Sequence, residues 1–201
     1  KIFSEAYENV PNGSYICPKC GWTMTFYGAQ AQCCNKSCLK NIPKKDDLKP
    51  LRFQDGNWRL RHGVMRYMCL PGQLELKIQK IVEKCGCGAE LWPDRDKYDV
   101  KITLPDGQVW AIDAKTHRNP YMLKKSIEKD YVFTHTKAQK VFYVVPDDCL
   151  TDYPDYCKIC NDALASRFPD SIAKCVSMRI FSKELKGEVE DVKLRNYQKK
   201  S

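Results

Sequence analysis

The chain has 201 residues, enough to bury a full hydrophobic core as one domain or as a domain with a small appendage. Its 34 Lys and Arg against 25 Asp and Glu give a formal charge of +9, an excess that suits a polyanion partner but also occurs in proteins without one. No stretch reads as a signal peptide or a membrane span, so secreted and membrane classes are set aside and a cytoplasmic protein is expected.

Residues 1–15 are expected as a short helix or strand, and they begin with Lys rather than Met, as in a processed, trimmed or partial chain. Cys17-Pro18-Lys19-Cys20-Gly21 then has zinc-knuckle spacing, and Cys33-Cys34-Asn35-Lys36-Ser37-Cys38 follows after twelve residues. Cys17, Cys20, Cys38 and one of Cys33 and Cys34 supply four thiolates for a tetrahedral Zn²⁺ site. Cys33 is preferred as the third ligand because the longer C-x4-C spacing leaves room for a turn around the metal; Cys34 is the alternative. Disulfides or free core cysteines are the competing readings. Four thiolates on one Zn²⁺ lower the real net charge by about two. A closed site of this kind has no open position for substrate, so its expected role is structural, with a nucleic-acid or protein contact as a further use.

Lys44-Lys45-Asp46-Asp47 reads as a polar linker that ends this module near Pro50. Leu51–Phe53 and Trp58–Leu60 flank Gln54-Asp55-Gly56-Asn57, a hairpin signal. Arg52, Arg59, Arg61 and Arg66 interleave there with Trp58 and Tyr67. Such a pattern can grip phosphate and stack on a base; it is equally a solvated hairpin face.

Leu74, Ile78, Ile81, Val82 and Cys85 form an amphipathic stripe, which predicts a helix from about Gly72 to Lys84. Glu75 borders that stripe, at the rim of whatever sheet the helix covers. Ala89–Trp92 is a short strand. Residues 98–104 (YDVKITL) and 108–115 (QVWAIDAK) alternate apolar and polar around the turn Pro105-Asp106-Gly107. A three-residue loop pairs Leu104 with Gln108, Ile102 with Trp110, Val100 with Ile112 and Asp99 with Asp113. Val100, Ile102, Trp110 and Ile112 then share one face, and Asp99, Asp113 and Lys115 share the other. Opposed Cβ atoms lie about 5 Å apart, so the two carboxylates repel unless a cation lies between them. A hard divalent ion such as Mg²⁺ takes oxygen ligands of this kind. A D-x-K triplet alone says little; the turn, the register and the acid-bearing helix upstream make the set specific.

Asn119-Pro120 opens a helix to about Glu128 that carries Lys124, Lys125 and Lys129. His117, Tyr121, His135 and Lys137 follow the hairpin and could line a cleft, although a lone histidine such as His117 is more often a bystander. Val141–Val145 (VFYVV) reads as a buried central strand. Asp155–Phe168 is a helix on which Cys157, Cys160 and Leu164 make an apolar stripe. A second zinc site from Cys85, Cys87, Cys157 and Cys160 is the minor alternative there. Cys69, Cys149 and Cys175 read as small buried hydrophobes. Cys175–Phe181 is the expected last strand, and the charged stretch from Lys183 is helical or frayed. The order of helices and strands gives an α/β core. The expected domains are a zinc-ribbon-like module over 1–50, the α/β domain over 51–182 and a charged tail over 183–201.

In order and setting, Glu75, Asp99, Asp113 and Lys115 resemble the PD-(D/E)XK nuclease superfamily, in which a helix Glu and a strand Asp precede Asp/Glu-x-Lys on the next strand. The resemblance covers about residues 58–147. More narrowly, RLRHGVMRYMCLPGQLE, ELWPDRDKYDVKI and WAIDAKTHRNPYML look like restriction-endonuclease-like proteins encoded beside prokaryotic PIWI/Argonaute-like proteins. Asp113 stands where many members carry Glu. Tyr98 rather than Pro precedes Asp99, and Pro93-Asp94 lies earlier, at the end of the preceding strand. The resemblance implies a restriction-endonuclease-like αβββαβ core with a mixed sheet, joined to the small N-terminal zinc ribbon. It implies phosphodiester hydrolysis with Mg²⁺ or Mn²⁺ held by Asp99, Asp113 and the Ala114 carbonyl. Lys115 would orient water or stabilise charge, and Glu75 would hold a second ion or a metal-bound water. Expected nucleic-acid contacts are Arg59, Arg61, Arg66, Lys124 and Lys137, with Gln139 beside the last. The expected substrate is DNA, with RNA open, in prokaryotic defence or restriction. Partners would be a PIWI/Argonaute-like protein, a helicase or fused domains. The alternative is a non-catalytic nucleic-acid-binding or complex-assembly module on the same fold.

Overall fold

A computed structural model describes residues 5–39, 44–48, 50–51, 57–93, 97–129 and 136–198. The chain divides into two compact units, Lys1–Gly72 and Gln73–Ser201.

In the first unit, β1 (Tyr7–Asn9) pairs antiparallel with β5 (Trp58–Leu60). A separate three-stranded antiparallel sheet holds β2 (Tyr15–Ile16), β3 (Thr23–Tyr27) and β4 (Gln30–Gln32). Among the described residues the ladder partner of β5 is β1; the hairpin expected between Leu51–Phe53 and Trp58–Leu60 lies partly outside the described set, which omits residues 52–56, Arg52 among them. The small core of this unit is Tyr15, Cys17, Met24 and Cys38, with Phe26 edge-on to Tyr15 at 5.2 Å.

The second unit is built on a five-stranded mixed sheet in the order β10-β9-β8-β7-β6. Its strands are β6 (Gly88–Leu91), β7 (Val100–Thr103), β8 (Val109–Ala114), β9 (Lys140–Val145) and β10 (Ala173–Ser177). β6, β7 and β8 form an antiparallel meander, and β8, β9 and β10 run parallel. The hairpin register agrees with the spacing: Val100 opposes Ile112, Ile102 opposes Trp110, and the Leu104 N–H donates to the Gln108 carbonyl at 2.9 Å. Trp110, Phe142 and Phe181 pack in sequence on the same face, tilted and then edge-on, with centroids 5.5 and 5.9 Å apart.

The helices that flank this sheet are α1 (Leu70–Lys84), which continues a helical segment over His62–Cys69, α2 (Pro120–Lys129), α3 (Cys149–Asp152), α4 (Tyr156–Arg167) and α5 (Met178–Gln198). The stripe Leu74, Ile78 and Val82 of α1 joins Val100, Ile102, Trp110 and Ile112 in one core, which Leu185, Val189 and Val192 of α5 complete. Leu123 and Ile127 of α2 and Tyr156, Cys160 and Leu164 of α4 pack against Ala111, Val141 and Tyr143 on the other face. α2 and α4 are both crossovers between parallel strands. Two right-handed crossovers stepping the same way along a sheet must lie on the same face. Asn119 Oδ1 accepts the Tyr121 N–H at 2.9 Å, and Pro120 stands first in α2, where its missing N–H costs nothing.

One expected boundary changes and one open alternative is resolved. The last strand ends at Ser177, and Phe181 belongs to α5, fully buried. The charged stretch from Lys183 is helical through Gln198, because Leu185, Val189 and Val192 give it a buried stripe. The face of the hairpin opposite Val100 carries α2, and Asp113 there is 3% exposed. No helix among the described residues is long and apolar enough to cross a membrane.

Candidate active site and metal centre

The four-cysteine cluster is built by turns. The Cys17 N–H donates to the Trp22 carbonyl at 2.7 Å and the Gly21 N–H to the Cys17 carbonyl at 2.9 Å, so the chain folds back on itself over Cys17–Trp22. Gly21 takes φ +72°, a conformation that side chains resist, which is why glycine follows the knuckle. Cys33 leaves β4, and Cys38 sits in a 3₁₀ turn over Lys36–Leu39. The Sγ atoms of Cys17, Cys20, Cys33 and Cys38 all lie within 4.8 Å of one another. Cys20 and Cys33 are 3.7 Å apart, and every cysteine is a free thiol. Zn–S bonds of about 2.3 Å in a tetrahedron put sulfurs about 3.8 Å apart, so the donors fit zinc as they stand. Cys34, the alternative third ligand, turns away to the His62 carbonyl at 3.7 Å.

Four clustered thiolates repel one another without a cation, so the thiol form is favoured at Cys33 and Cys38. Burial, then the thiols of Cys20 and Cys17, push Cys38 up to about 12. Burial drives Cys33 upward as well. Burial also opposes ionisation of Cys17, but hydrogen bonds from the backbone at Cys20 and Lys19 outweigh it and hold that thiol below its ordinary value. The minor second zinc site does not form: Cys85 and Cys87 belong to the core under α1, and Cys157 and Cys160 to the core on the opposite face of the sheet. Among the described residues, Cys17, Cys20, Cys33 and Cys38 are the group of three or more such ligands that converges.

The acidic site lies where β8 ends. Asp113 is buried, and Lys115 Nζ lies 2.7 Å from its Oδ2. The Lys115 ammonium is the cationic partner of that buried oxygen. Asp99 enters from the segment before β7. Its N–H donates to the Ile112 carbonyl at 3.0 Å, and its Oδ2 accepts the Ala114 N–H at 2.6 Å. The Lys115 N–H continues the parallel ladder to the Val144 carbonyl at 2.9 Å. Burial pushes the Asp113 carboxyl up to about 7; Lys115 works against that rise, and the neighbouring Asp99 carboxylate adds to it. A buried carboxylate beside a second carboxylate is a donor set suited to a hard cation.

Glu75 is also buried, on α1, but it does not join Asp99 and Asp113 in a convergent three-carboxylate group among the described residues. Its Oε2 accepts the indole N–H of Trp92 at 2.7 Å. Trp92, expected as the end of that strand, lies just beyond β6 at φ +52°, and its tie to Glu75 had no mark in the sequence beyond Pro93, which bars the residue before it from right-handed helix.

The expected nucleic-acid contacts divide. Arg59 is committed within its own unit: Nε donates to Glu8 at 2.8 Å, Nη1 to Thr23 at 2.9 Å, and the guanidinium lies 4.9 Å from the Trp22 ring centroid. Arg61 and Arg66 are exposed, the latter over the Tyr67 ring at 5.5 Å. Lys124 pairs along α2 with Glu128 at 3.9 Å, and Lys137 is exposed. Gln139 closes the start of the β8–β9 ladder through Val109, with its side chain accepting at 2.6 Å. The His117 carbonyl accepts the Tyr156 hydroxyl at 2.6 Å, a structural use of its backbone. His135 lies outside the described residues, as does Asp94.

Comparison with curated proteins and with solved structures returned no match for this chain. The family model described as "REase associating with pPIWI_RE" matches residues 72–192, from the start of α1 to the last buried turn of α5. The match spans both acidic segments, the D-A-K end of β8 and all five strands of the sheet, so the chain belongs to the restriction-endonuclease-like family associated with pPIWI_RE.

Proposed function

We propose that this chain is a metal-dependent nuclease module on a restriction-endonuclease-like core, cleaving phosphodiester bonds of DNA within a prokaryotic defence system. The observation that carries the reading is the buried Asp113 with Lys115 at 2.7 Å and Asp99 beside it, at the end of β8. Asp99, Asp113 and the Ala114 carbonyl would hold Mg²⁺ or Mn²⁺. Bound there, such an ion would polarise the phosphate and lower the pKa of water. Lys115 would release Asp113 to the cation and turn its ammonium toward the phosphate oxygens, where charge builds in the transition state. The Ala114 N–H holds Asp99 in one rotamer, so that carboxylate is oriented before substrate arrives. Glu75 would orient a water at the rim from α1. The zinc ribbon would be structural, and a PIWI/Argonaute-like protein is the proposed partner, following the family description.

The test is cleavage of single- and double-stranded DNA and RNA by the purified chain with Mg²⁺, Mn²⁺ or Ca²⁺. Cleavage with Mg²⁺ or Mn²⁺ that falls at least a hundredfold in both Asp113→Ala and Lys115→Ala is the expected result. Nucleic-acid binding without cleavage, alone and with the PIWI-like partner, would sink the catalytic reading and leave a binding or assembly module.

A further inference from the structure

Trp92 is the one non-glycine residue at positive φ among the described residues, at +52°. A bulky side chain resists that conformation, and strain of this kind is kept where the surroundings over-determine it. The surroundings do so here. The Trp92 N–H donates to the Asp99 carbonyl at 2.9 Å, and the indole N–H donates to Glu75 Oε2 at 2.7 Å. Glu75 itself is buried on a fifteen-residue helix. Both polar handles of Trp92 are thus fixed, yet the side chain is not put into the core: the residue remains 53% exposed. Its backbone lies one strand from Asp99, about 5 Å away, and Asp113 is one strand further. The outcome is a half-exposed aromatic residue, anchored at two N–H groups, on the strand end opposite Asp99.

We propose that Trp92 is a nucleobase-stacking platform, held by Glu75, that seats an unpaired base next to the phosphate to be cut. This rests on the nuclease reading and narrows its substrate to single strands or locally opened duplex. In an intact duplex both faces of each base are already covered, whereas a splayed base offers a free π-face to an aromatic ring. Two anchored hydrogen bonds also lower the ordering cost that a free surface side chain would incur on binding.

The experiment is fluorescence anisotropy with the full, zinc-loaded chain. The probes are a labelled thymidine oligonucleotide and an abasic strand of equal length, without divalent ions so that nothing is cut. The wild type should prefer the thymidine strand. Trp92→Leu should lose about 5- to 100-fold on it, the range of one stacked base, and little on the abasic strand. Trp92→Phe should keep most of the preference. Glu75→Gln, whose amide oxygen still accepts the indole N–H, should keep it, and Glu75→Leu should lose it. If Trp92→Leu does not fold, base-dependent quenching of tryptophan fluorescence in the wild type and its absence in Trp92→Phe carry the same information. Equal affinity of the wild type for the two strands overturns the proposal. So does an equal loss on both strands in Trp92→Leu, or loss of a protein partner with nucleic-acid binding unchanged. Base-dependent binding without any cleavage would leave the platform standing and remove the nuclease reading; cleavage without base dependence would do the reverse.

Discussion

At the scale of single residues, Asp113 concentrates the chemistry and the cost. Its folded-state carboxyl is raised from 3.8 to about 7, chiefly by burial, so the native protein holds a proton that the unfolded chain has released. The stability this supplies is full below about pH 4 and is lost as the pH rises through about 7. In that window the protein without divalent ions should lose up to about 1.4 kcal/mol per pH unit. Urea midpoints at about pH 5 and about pH 7.5 read this directly. Asp113→Asn should flatten the difference, and Mg²⁺ should raise the midpoint at the higher pH but not at the lower, where the proton competes for the carboxylate. A midpoint in Asp113→Asn that still falls with pH as in the wild type would place the titration elsewhere. The identity and order of Glu75, Asp99, Asp113 and Lys115 were legible because residue type and period-two spacing are local properties. The coverage of Asp113 was not: α2 comes from later in the chain, and nothing in the hairpin's own pattern announces a helix on its polar face.

At the scale of elements, the four-cysteine module and α5 make opposite cases. Paired cysteines at short spacing announce a metal cluster, and a segment this short needs one, since its buried core is little more than Tyr15, Met24 and two of the cysteines. Cys33→Ser should remove about one zinc per chain by elemental analysis and open residues 15–39 to proteolysis. Cys34→Ser should keep the metal, because that thiol faces the His62 carbonyl. Retained zinc in Cys33→Ser would show the ligand set to be wrong. In α5 the charges dominate the sequence and hide an apolar stripe. Leu185 and Val192 are fully buried, so Leu185→Ala should cost about 2–5 kcal/mol by chemical denaturation. A chain cut before Lys183 should fail to give a cooperative transition, having exposed the sheet face that Leu185, Val189 and Val192 cover. Wild-type stability in either variant would mean that α5 is only loosely held.

At the scale of the whole molecule, the two compact units have separate sources of stability. The first has four converging thiols that could hold a cation; the second has aromatic and aliphatic cores on both faces of its sheet. Chelation of zinc should therefore abolish protection of the first unit in hydrogen exchange while the central strands β8 and β9 remain protected. Loss of protection in both together would show one cooperative body.

By itself the sequence determined what depends on neighbours along the chain. The hairpin register followed from alternation and a three-residue turn, the α1 face from helical spacing, and β9 from five consecutive apolar residues. The ligand cysteines followed from knuckle spacing. Only the tertiary structure decided what depends on residues far apart. It turned Cys34 away from the cluster, spent Arg59 on Glu8 and Thr23, and separated Cys85 and Cys87 from Cys157 and Cys160 by the thickness of a sheet. It also set Trp92 on Glu75. Such outcomes are fixed by the order in which strands assemble and by which helix covers which face, and those choices leave no period in the chain to be read.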